Sequence, residues 1–147
     1  MSNVDSAVKC FNNGFNCTQA ILSTYCEQFG LDRETALKLS CPFGAGMGCM
    51  AETCGAVTGA FMLIGLKYGK CFEEDTVSKD ISYRLVREFT ERFKEVNGSI
   101  SCKELLQCDI STPEGSSNAK SIGLCNRLCP GFVKDSARII EELLQLT

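Results

Sequence analysis

Apolar positions recur along this chain in the three- and four-residue steps of helices, and no segment alternates in the two-residue step of strands. The clearest pattern lies in the second half of the sequence. Its apolar positions are Val77, Ile81, Leu85, Phe89, Phe93 and Val96. They predict a long amphipathic helix. We therefore expect an all-α fold, a compact bundle of about six or seven helices.

A nearly uncharged segment is predicted to form the centre of this bundle. Between Cys49 and Leu66 the single charged residue is Glu52, and a glycine-rich loop precedes the segment. We expect a central Gly/Ala-rich apolar helix that ends at Gly69. The uncharged part, residues 53–66, is shorter than the roughly 20 residues that a membrane-spanning helix needs.

Small residues recur in this helix at the spacing of one helical turn. Ala51, Gly55 and Gly59 are four residues apart, which places them on one face. A glycine inside a helix costs about 1 kcal/mol relative to alanine. We therefore expect close helix packing, or room for a ligand beside Cys54, to offset the cost of Gly55, Gly59 and Gly65.

Shorter helices are predicted on both sides of the central one. Capping residues and 3,4 spacing predict helices over 2–12, 17–29, 33–40 and 102–106. Cys129-Pro130 is predicted to begin the last helix, which reaches Leu144, because proline suits the first helical position. Residues 109–117 are rich in Asp, Ser, Thr, Pro and Gly and are predicted as the one clear loop.

Length and charge narrow the class of protein. The chain has 147 residues, which predicts a single domain over 1–147 with its own core. Its net charge is -3 and it has no long basic run, so neither nucleic acid nor an anionic membrane is an expected partner. The first ten residues lack the apolar core of a signal peptide, so we expect a cytoplasmic location.

The cysteine content requires an explanation other than disulfides. There are eleven cysteines, an odd number, and thiols stay reduced in the cytoplasm. There is no histidine. This excludes a histidine general base, any zinc site with histidine ligands and histidine-ligated haem.

Four cysteines share a chemically suggestive placement. Cys17, Cys102 and Cys129 fall at predicted helix starts, and Cys54 lies about one turn into the central helix. Unpaired N–H groups and the helix dipole at a helix start stabilise a thiolate, which lowers the pKa of the thiol. Such a sulfur is a good metal ligand or nucleophile. The alternative is that each cysteine only fills space in the core.

Several segments resemble one known family. They are 14–20 (GFNCTQA), 43–48 (FGAGMG), 54–60 (CGAVTGA), 102–105 (CKEL) and Cys129. Together they resemble the redox-active proteins of anaerobic bacteria that are named for the cysteine pattern C_GCAxxG_C_C. By this resemblance the four family cysteines are Cys17, Cys54, Cys102 and Cys129. The resemblance implies redox activity and no particular reaction.

Three functions fit these cysteines. The first is an electron-transfer protein whose four thiolates bind an iron-sulfur cluster, with structural zinc as a variant of the same site. The second is a metal-free thiol-disulfide oxidoreductase, in which Cys54 or Cys17 attacks and another cysteine resolves the intermediate. The third is an interaction module with packing cysteines. The expected partner is a redox protein, a small-molecule thiol or another electron donor.

Glycines beside these cysteines are candidate cofactor contacts. Gly46 and Gly48 lie in a loop that superficially resembles a phosphate-binding turn, but no strand precedes it. We expect the loop glycines, with Gly55 and Gly59, to bring backbone close to a cluster or thiolate.

The other seven cysteines lie outside the family pattern. Cys41 and Cys49 flank the loop and are candidates for extra ligands or exchanging thiols. Cys125 precedes Cys129 by four residues, one turn if that segment is helical, and Cys108 follows Cys102 by six. Packing or surface positions are expected for Cys10, Cys26 and Cys71.

A last expectation concerns assembly. Phe61 to Leu66 is apolar on all sides of the central helix, and such a helix must be covered all round. A chain of this size has few helices for that purpose, so we predict a homodimer.

Overall fold

Eight regular α-helices make up most of the chain in a computed structural model that describes residues 1–146. They are α1 (Asn3–Asn12), α2 (Cys17–Tyr25), α3 (Arg33–Ser40), α4 (Gly55–Tyr68), α5 (Thr76–Asn97), α6 (Cys102–Leu106), α7 (Pro113–Ser121) and α8 (Leu124–Leu144). Short 3-10 helices, Cys26–Phe29 and Cys41–Phe43, follow α2 and α3. Within residues 1–146 no strand forms, apart from an isolated bridge between Thr53 and Ser101. The all-α prediction is confirmed, and the single-domain prediction stays a prediction.

The central helix α4 packs most extensively against α2. Gly55 and Gly59 face α2, where an added Cβ would lie 2.5 Å from Thr18 Oγ1 and 2.9 Å from Ile21 Cβ, respectively. The helices therefore approach each other more closely than any larger residue would allow. The prediction that Ala51 shares this face is wrong, because α4 begins at Gly55 and Ala51 lies before it with a left-handed φ of 57°.

The main core surrounds these two helices. Its largest fully buried side chains include Tyr25, Phe89 and Phe93. Phe89 stacks on Phe93 with the ring centres 5.9 Å apart, and Ser136 of α8 donates a 2.7 Å hydrogen bond to the Ala56 carbonyl of α4. Apolar burial and a satisfied buried hydroxyl thus hold α4, α5 and α8 together.

The amphipathic pattern of α5 is confirmed in its centre and fails at its ends. Leu85, Phe89 and Phe93 are buried, as predicted. Val77 and Val96 are 68% and 63% exposed, because the helix extends beyond the core at both ends.

Two predictions about the last third of the chain are wrong. Residues 113–117, predicted as loop, are the start of α7, because Thr112 accepts a hydrogen bond from the Gly115 N–H and Pro113 takes the first helical position. The last helix begins at Leu124 rather than at Cys129.

Pro130 therefore lies inside α8 and does not begin it. Its missing N–H removes one hydrogen bond, the one that the Asn126 carbonyl would accept. Buried Leu124 and half-buried Leu128 pack in a second apolar cluster, which extends the helix towards the N-terminus past the proline. Cys129 consequently lies within a helix.

The C-terminal part of α4 is partly exposed, which bears on the predicted homodimer. Phe61 and Met62 are half-buried, and Leu66 is 38% exposed, so this helix is not covered all round by its own chain. The homodimer stays a prediction.

None of the helices in the described part of the chain combines the length and apolar character that spanning a membrane requires.

Two glycines of α4 provide a matched test of this packing. We expect Gly59→Ala to lower the free energy of unfolding by about 1–3 kcal/mol, because the methyl group would press on Ile21. Gly65 has no atom within 4 Å of a would-be Cβ, so Gly65→Ala is expected to raise that free energy by about 0.5–1 kcal/mol. Urea unfolding under reducing conditions, followed by circular dichroism, measures both. A Gly59→Ala protein as stable as Gly65→Ala would contradict the close approach of α2 and α4.

Candidate cysteine redox site

Two short segments pair with each other and thereby position Cys54 and Cys102. The Cys54 N–H donates a 2.8 Å hydrogen bond to the Ile100 carbonyl, and the Cys102 N–H donates a 2.6 Å bond to the Glu52 carbonyl. This antiparallel pairing includes the bridge between Thr53 and Ser101. Cys54 becomes the N-cap of α4 and Cys102 the first residue of α6.

A left-handed turn packs against this pair. Ala45 and Gly46 have φ values of 54° and 68°, and the Gly46 carbonyl accepts a 2.9 Å hydrogen bond from the Glu52 N–H. A Cβ on Gly46 would lie 2.8 Å from the Cys102 Cβ. Glycine is therefore required here by its dihedral angles and by the approach to Cys102.

Cys17 enters the site from the first turn of α2. Asn16 caps this helix through a capping box with Gln19, as its sequence predicts. A Cβ on Gly55 would lie 3.1 Å from the Cys17 Cβ. The same close approach that packs α4 on α2 thus brings the segment that carries Cys54 beside Cys17.

α8 contributes two sulfurs, not one. Cys125 and Cys129 are one turn apart, so both side chains lie on the same face of this helix. Both are half-buried.

One cavity of about 130 Å³ lies between these elements, and all four family cysteines line it together with Cys125. Its further lining is Phe11, Asn16, Ala45, Gly46, Gly55, Leu105, Leu106, Ile110 and Phe132. None of these residues carries a charge. Of the glycines predicted to contact a cofactor, Gly46 and Gly55 line the cavity, whereas Gly48 and Gly59 do not.

Neighbouring thiols and burial together shift the pKa values of the two α8 cysteines. The Cys125 thiol lowers the pKa of Cys129, but the neighbouring Cys17 and burial outweigh this effect and leave the pKa above its usual value. The neighbouring Cys129 and burial raise the pKa of Cys125 strongly.

Burial is the largest influence on the pKa values of the other two cysteines, Cys54 and Cys102. It raises the pKa of Cys54 to about 12 and that of Cys102 to about 11. The Ala56 and Val57 N–H groups at the start of α4 lower the pKa of Cys54, as expected at a helix start, but less than burial raises it. The prediction of lowered pKa values is therefore wrong for Cys54, Cys102 and Cys129, because desolvation exceeds the effect of a helix terminus and Cys129 is not at one.

The arrangement of the thiols differs from that of a formed metal site. Among residues 1–146, no group of three or more Cys, Asp or Glu side chains is placed so that it could hold a metal ion. The residue types nevertheless fit a thiolate-ligated metal, because the cavity collects soft sulfur donors and no oxygen anion. Side-chain rotation at the cysteines would have to complete such a site.

The remaining cysteines lie around the site or away from it. Cys49 and Cys108 are near Cys102, where they raise its pKa, and their thiols donate to the Ile110 and Gly115 carbonyls at 3.5 and 3.3 Å. The others are separate from the cavity: Cys41 and Cys71 are exposed, and Cys10 and Cys26 are buried in the main core.

A second, outer cleft of about 360 Å³ adjoins the cavity. Ala45, Ile110 and Cys125 line both spaces. Lys120 and Asn126 face the outer cleft. Cys125 thus lies at the boundary between the buried sulfurs and the outer cleft.

Sequence analysis did not include Cys125 in the site. The four-residue spacing from Cys129 has meaning only inside a helix, and Pro130 locally favours a helix that starts after Cys125. The apolar Leu124 and Leu128 were the signal that the helix starts earlier.

Comparison with known proteins identifies the family of this chain. The chain matches the sequence profile of the family described as "Putative redox-active protein (C_GCAxxG_C_C)" over residues 15–143. The GCAxxG element of that description occurs here as Cys54-Gly55-Ala56-Val57-Thr58-Gly59, with glycine and cysteine in the opposite order. No curated protein and no solved structure matches the chain. Because the match covers most of its length, the chain belongs to the C_GCAxxG_C_C family of redox-active proteins.

Proposed function

We propose that the protein is an electron-transfer protein that binds an iron-sulfur cluster through Cys17, Cys54, Cys102 and Cys129. The observation that carries the proposal is the convergence of these four cysteines, from four different helices or helix starts, on one cavity. Thiolates in this number are the usual ligands of iron-sulfur clusters.

The electrostatics of the cavity favour a metal over free thiolates. No lysine or arginine lines it, and burial raises the pKa of Cys54 and Cys102 well above neutrality. Several thiolates together therefore need a bound cation to stabilise them, and a metal ion deprotonates a coordinating thiol outright.

The chain's own residues would supply the surroundings of the cluster. The N–H groups of Ala56 and Val57 lie at the start of α4, where they lower the pKa of Cys54. Gly46 and Gly55 keep the cavity wall close and free of side chains. The apolar side chains of the wall exclude water. When bound, the cluster would accept and release single electrons, and hydrogen bonds to its sulfurs would tune the reduction potential.

The two alternatives are less well supported. Zinc would fit four thiolates but has no redox chemistry, whereas the family is described as redox-active. A metal-free oxidoreductase needs a thiolate near neutral pH. The raised pKa values of Cys54 and Cys102 disfavour it. The proposal includes two further points. The redox partner is a small electron donor or a partner protein, and the protein forms a homodimer.

Metal content tests the proposal. Wild-type protein prepared anaerobically from iron-supplemented cells is expected to be coloured and to contain iron and acid-labile sulfide. Cys54→Ser and Cys102→Ser each remove a ligand. Because loss of an outer-shell partner alone costs roughly 10–100-fold in metal affinity, we expect these variants to lose most of their iron.

Cys71→Ser is the matched control, because Cys71 is exposed and lies away from the cavity. It is expected to keep the iron content and absorption spectrum of the wild type. Circular dichroism checks that each variant folds. A colourless wild-type protein without iron would contradict the proposal, and a protein with stoichiometric zinc would favour the structural-zinc alternative.

The thiol chemistry of the metal-free protein gives a separate prediction. A raised pKa means that Cys54 and Cys102 are protonated at neutral pH, so their alkylation by iodoacetamide is slow and rises about tenfold per pH unit. We expect no plateau below pH 10 for Cys102, whose pKa is raised to about 11. Mass spectrometry of each peptide measures the rates.

Protein unfolded in guanidinium is the reference for this titration. There the same cysteines should titrate near the ordinary value of about 8.5. A plateau below pH 8.5 in the folded protein would support the metal-free oxidoreductase instead.

A further inference from the structure

A third pocket, of about 240 Å³, lies apart from the sulfur cavity and shares no lining residue with it. Cys10 lines this pocket, and each of the other lining residues has a hydroxyl, amide or charged side chain. The pocket brings together Cys10 of α1, Ser23 of α2, Glu27 of the first 3-10 helix and Arg33 of α3. Cys10 therefore lies in polar surroundings, in contrast to the thiols of the uncharged cavity.

The Cys10 sulfur lies beside a positive charge. Arg33 Nη2 donates a long hydrogen bond of 3.9 Å to it, and the same guanidinium lies over the Phe15 ring, with 5.5 Å between Cζ and the ring centre. Within residues 1–146 neither Arg33 nor Glu27 forms an ion pair. A cation within reach of a sulfur stabilises the negative charge that the sulfur carries when it acts as a nucleophile.

Ser23 presents a buried hydroxyl to the same sulfur. Its neighbour Thr24, and Ser40 in α3, donate to the carbonyl four residues back, as hydroxyls in helices often do. Ser23 is 5% exposed, and its hydroxyl lies 3.6 Å from the Cys10 sulfur, its one hydrogen-bond partner among residues 1–146. A hydroxyl can donate one hydrogen bond and accept two, so Ser23 retains the capacity to bind an oxygen of a ligand in this pocket.

We propose that this pocket is a second redox site, in which the Cys10 thiol is oxidised by hydrogen peroxide to a sulfenic acid. The inference does not depend on the proposed function, because Cys10 does not line the sulfur cavity.

The reaction is complete with these two reactants. The Cys10 sulfur, having released its proton, attacks one peroxide oxygen, so that an S–O bond forms and the O–O bond breaks. The other oxygen leaves with the electron pair and takes up a proton to become water. Sulfur is thereby oxidised by two electrons and the peroxide is reduced by two. Arg33 and Ser23 would donate hydrogen bonds to the peroxide oxygens, and the oxygen that leaves is where negative charge develops.

The dimensions and polarity of the pocket favour hydrogen peroxide over larger oxidants. Cys10 is 8% exposed, so the reagent must be small. An apolar group on a larger peroxide or disulfide would displace water from the polar side chains without replacing their hydrogen bonds, which is unfavourable.

The rate of sulfenic acid formation tests the proposal on the full-length protein, prepared anaerobically and treated with hydrogen peroxide in the presence of an iron chelator. Dimedone traps the sulfenic acid, and mass spectrometry assigns it, because chymotrypsin cleavage after Phe11 and Phe15 separates Cys10 from Cys17. We expect Cys10 to react faster than Cys71, although Cys71 is exposed and Cys10 is buried. Burial alone predicts the opposite order.

Variants of the two donors test the mechanism. Arg33→Gln is expected to slow the oxidation of Cys10 by about tenfold or more, because it removes a hydrogen bond from a charged group, and Ser23→Ala by about threefold. Arg33→Lys keeps the charge and should retain more of the rate than Arg33→Gln. Arg87→Gln, at an exposed position of α5, is the matched control and should react as the wild type does. Circular dichroism and an unchanged rate at Cys71 show that each variant is folded.

Two results would overturn this inference. One is oxidation of Cys10 that is no faster than that of Cys71 in the wild type. The other is a folded Arg33→Gln protein whose Cys10 reacts at the wild-type rate. Neither result bears on the cluster, because Cys10, Ser23 and Arg33 do not line the sulfur cavity. A wild-type protein without iron would in turn overturn the proposed function and leave the expected rates at Cys10 unchanged.

Discussion

The close approach of α4 to α2 at Gly55 and Gly59 is the constraint on which the rest of the structure depends. At both positions a single added methyl group would meet atoms of α2 at less than the normal contact distance. Gly59, inside α4, costs about 1 kcal/mol in helix propensity, and the backbone contact and burial that the glycines permit offset that cost. The same contact sets Cys54 beside Cys17, so the fold and the candidate site share one origin.

A second set of backbone contacts positions the rest of the site. The residues before α4 pair with those before α6, and the left-handed turn at Ala45 and Gly46 packs on that pair. Two chain segments far apart in sequence thereby present Cys54 and Cys102 to one cavity. Placement of the cysteines by backbone hydrogen bonds, rather than by flexible loops, suits a site whose geometry must be retained through a change of charge.

Electrostatics then limit what the site can do. The cavity collects five thiols and no counter-charge, and burial keeps Cys54 and Cys102 protonated at neutral pH. The donors at the start of α4 act on Cys54 in the opposite direction but are weaker. A bound metal would reverse this balance, because its charge lies at the sulfurs themselves. This is why we prefer metal ligation to a free nucleophilic thiolate.

Local signals predicted much of the fold, and long-range contacts account for what they missed. The capping box at Asn16 and the buried centre of α5 follow from side chains a few residues apart. The N-cap position of Cys54 could not be predicted in this way, because it depends on pairing with residues near 100. Pro130 misled the prediction of α8, since proline favours a helix start locally but is tolerated inside a helix that packing holds.

The central claim is that sulfur atoms of this cavity hold iron in a cluster. Iron K-edge X-ray absorption of the anaerobically prepared protein tests it most directly, because the spectrum reports the ligand atoms and any neighbouring iron. The account predicts a first shell of sulfur alone together with iron-iron scattering. A first shell of oxygen or nitrogen, or isolated iron without a neighbouring iron, would contradict it.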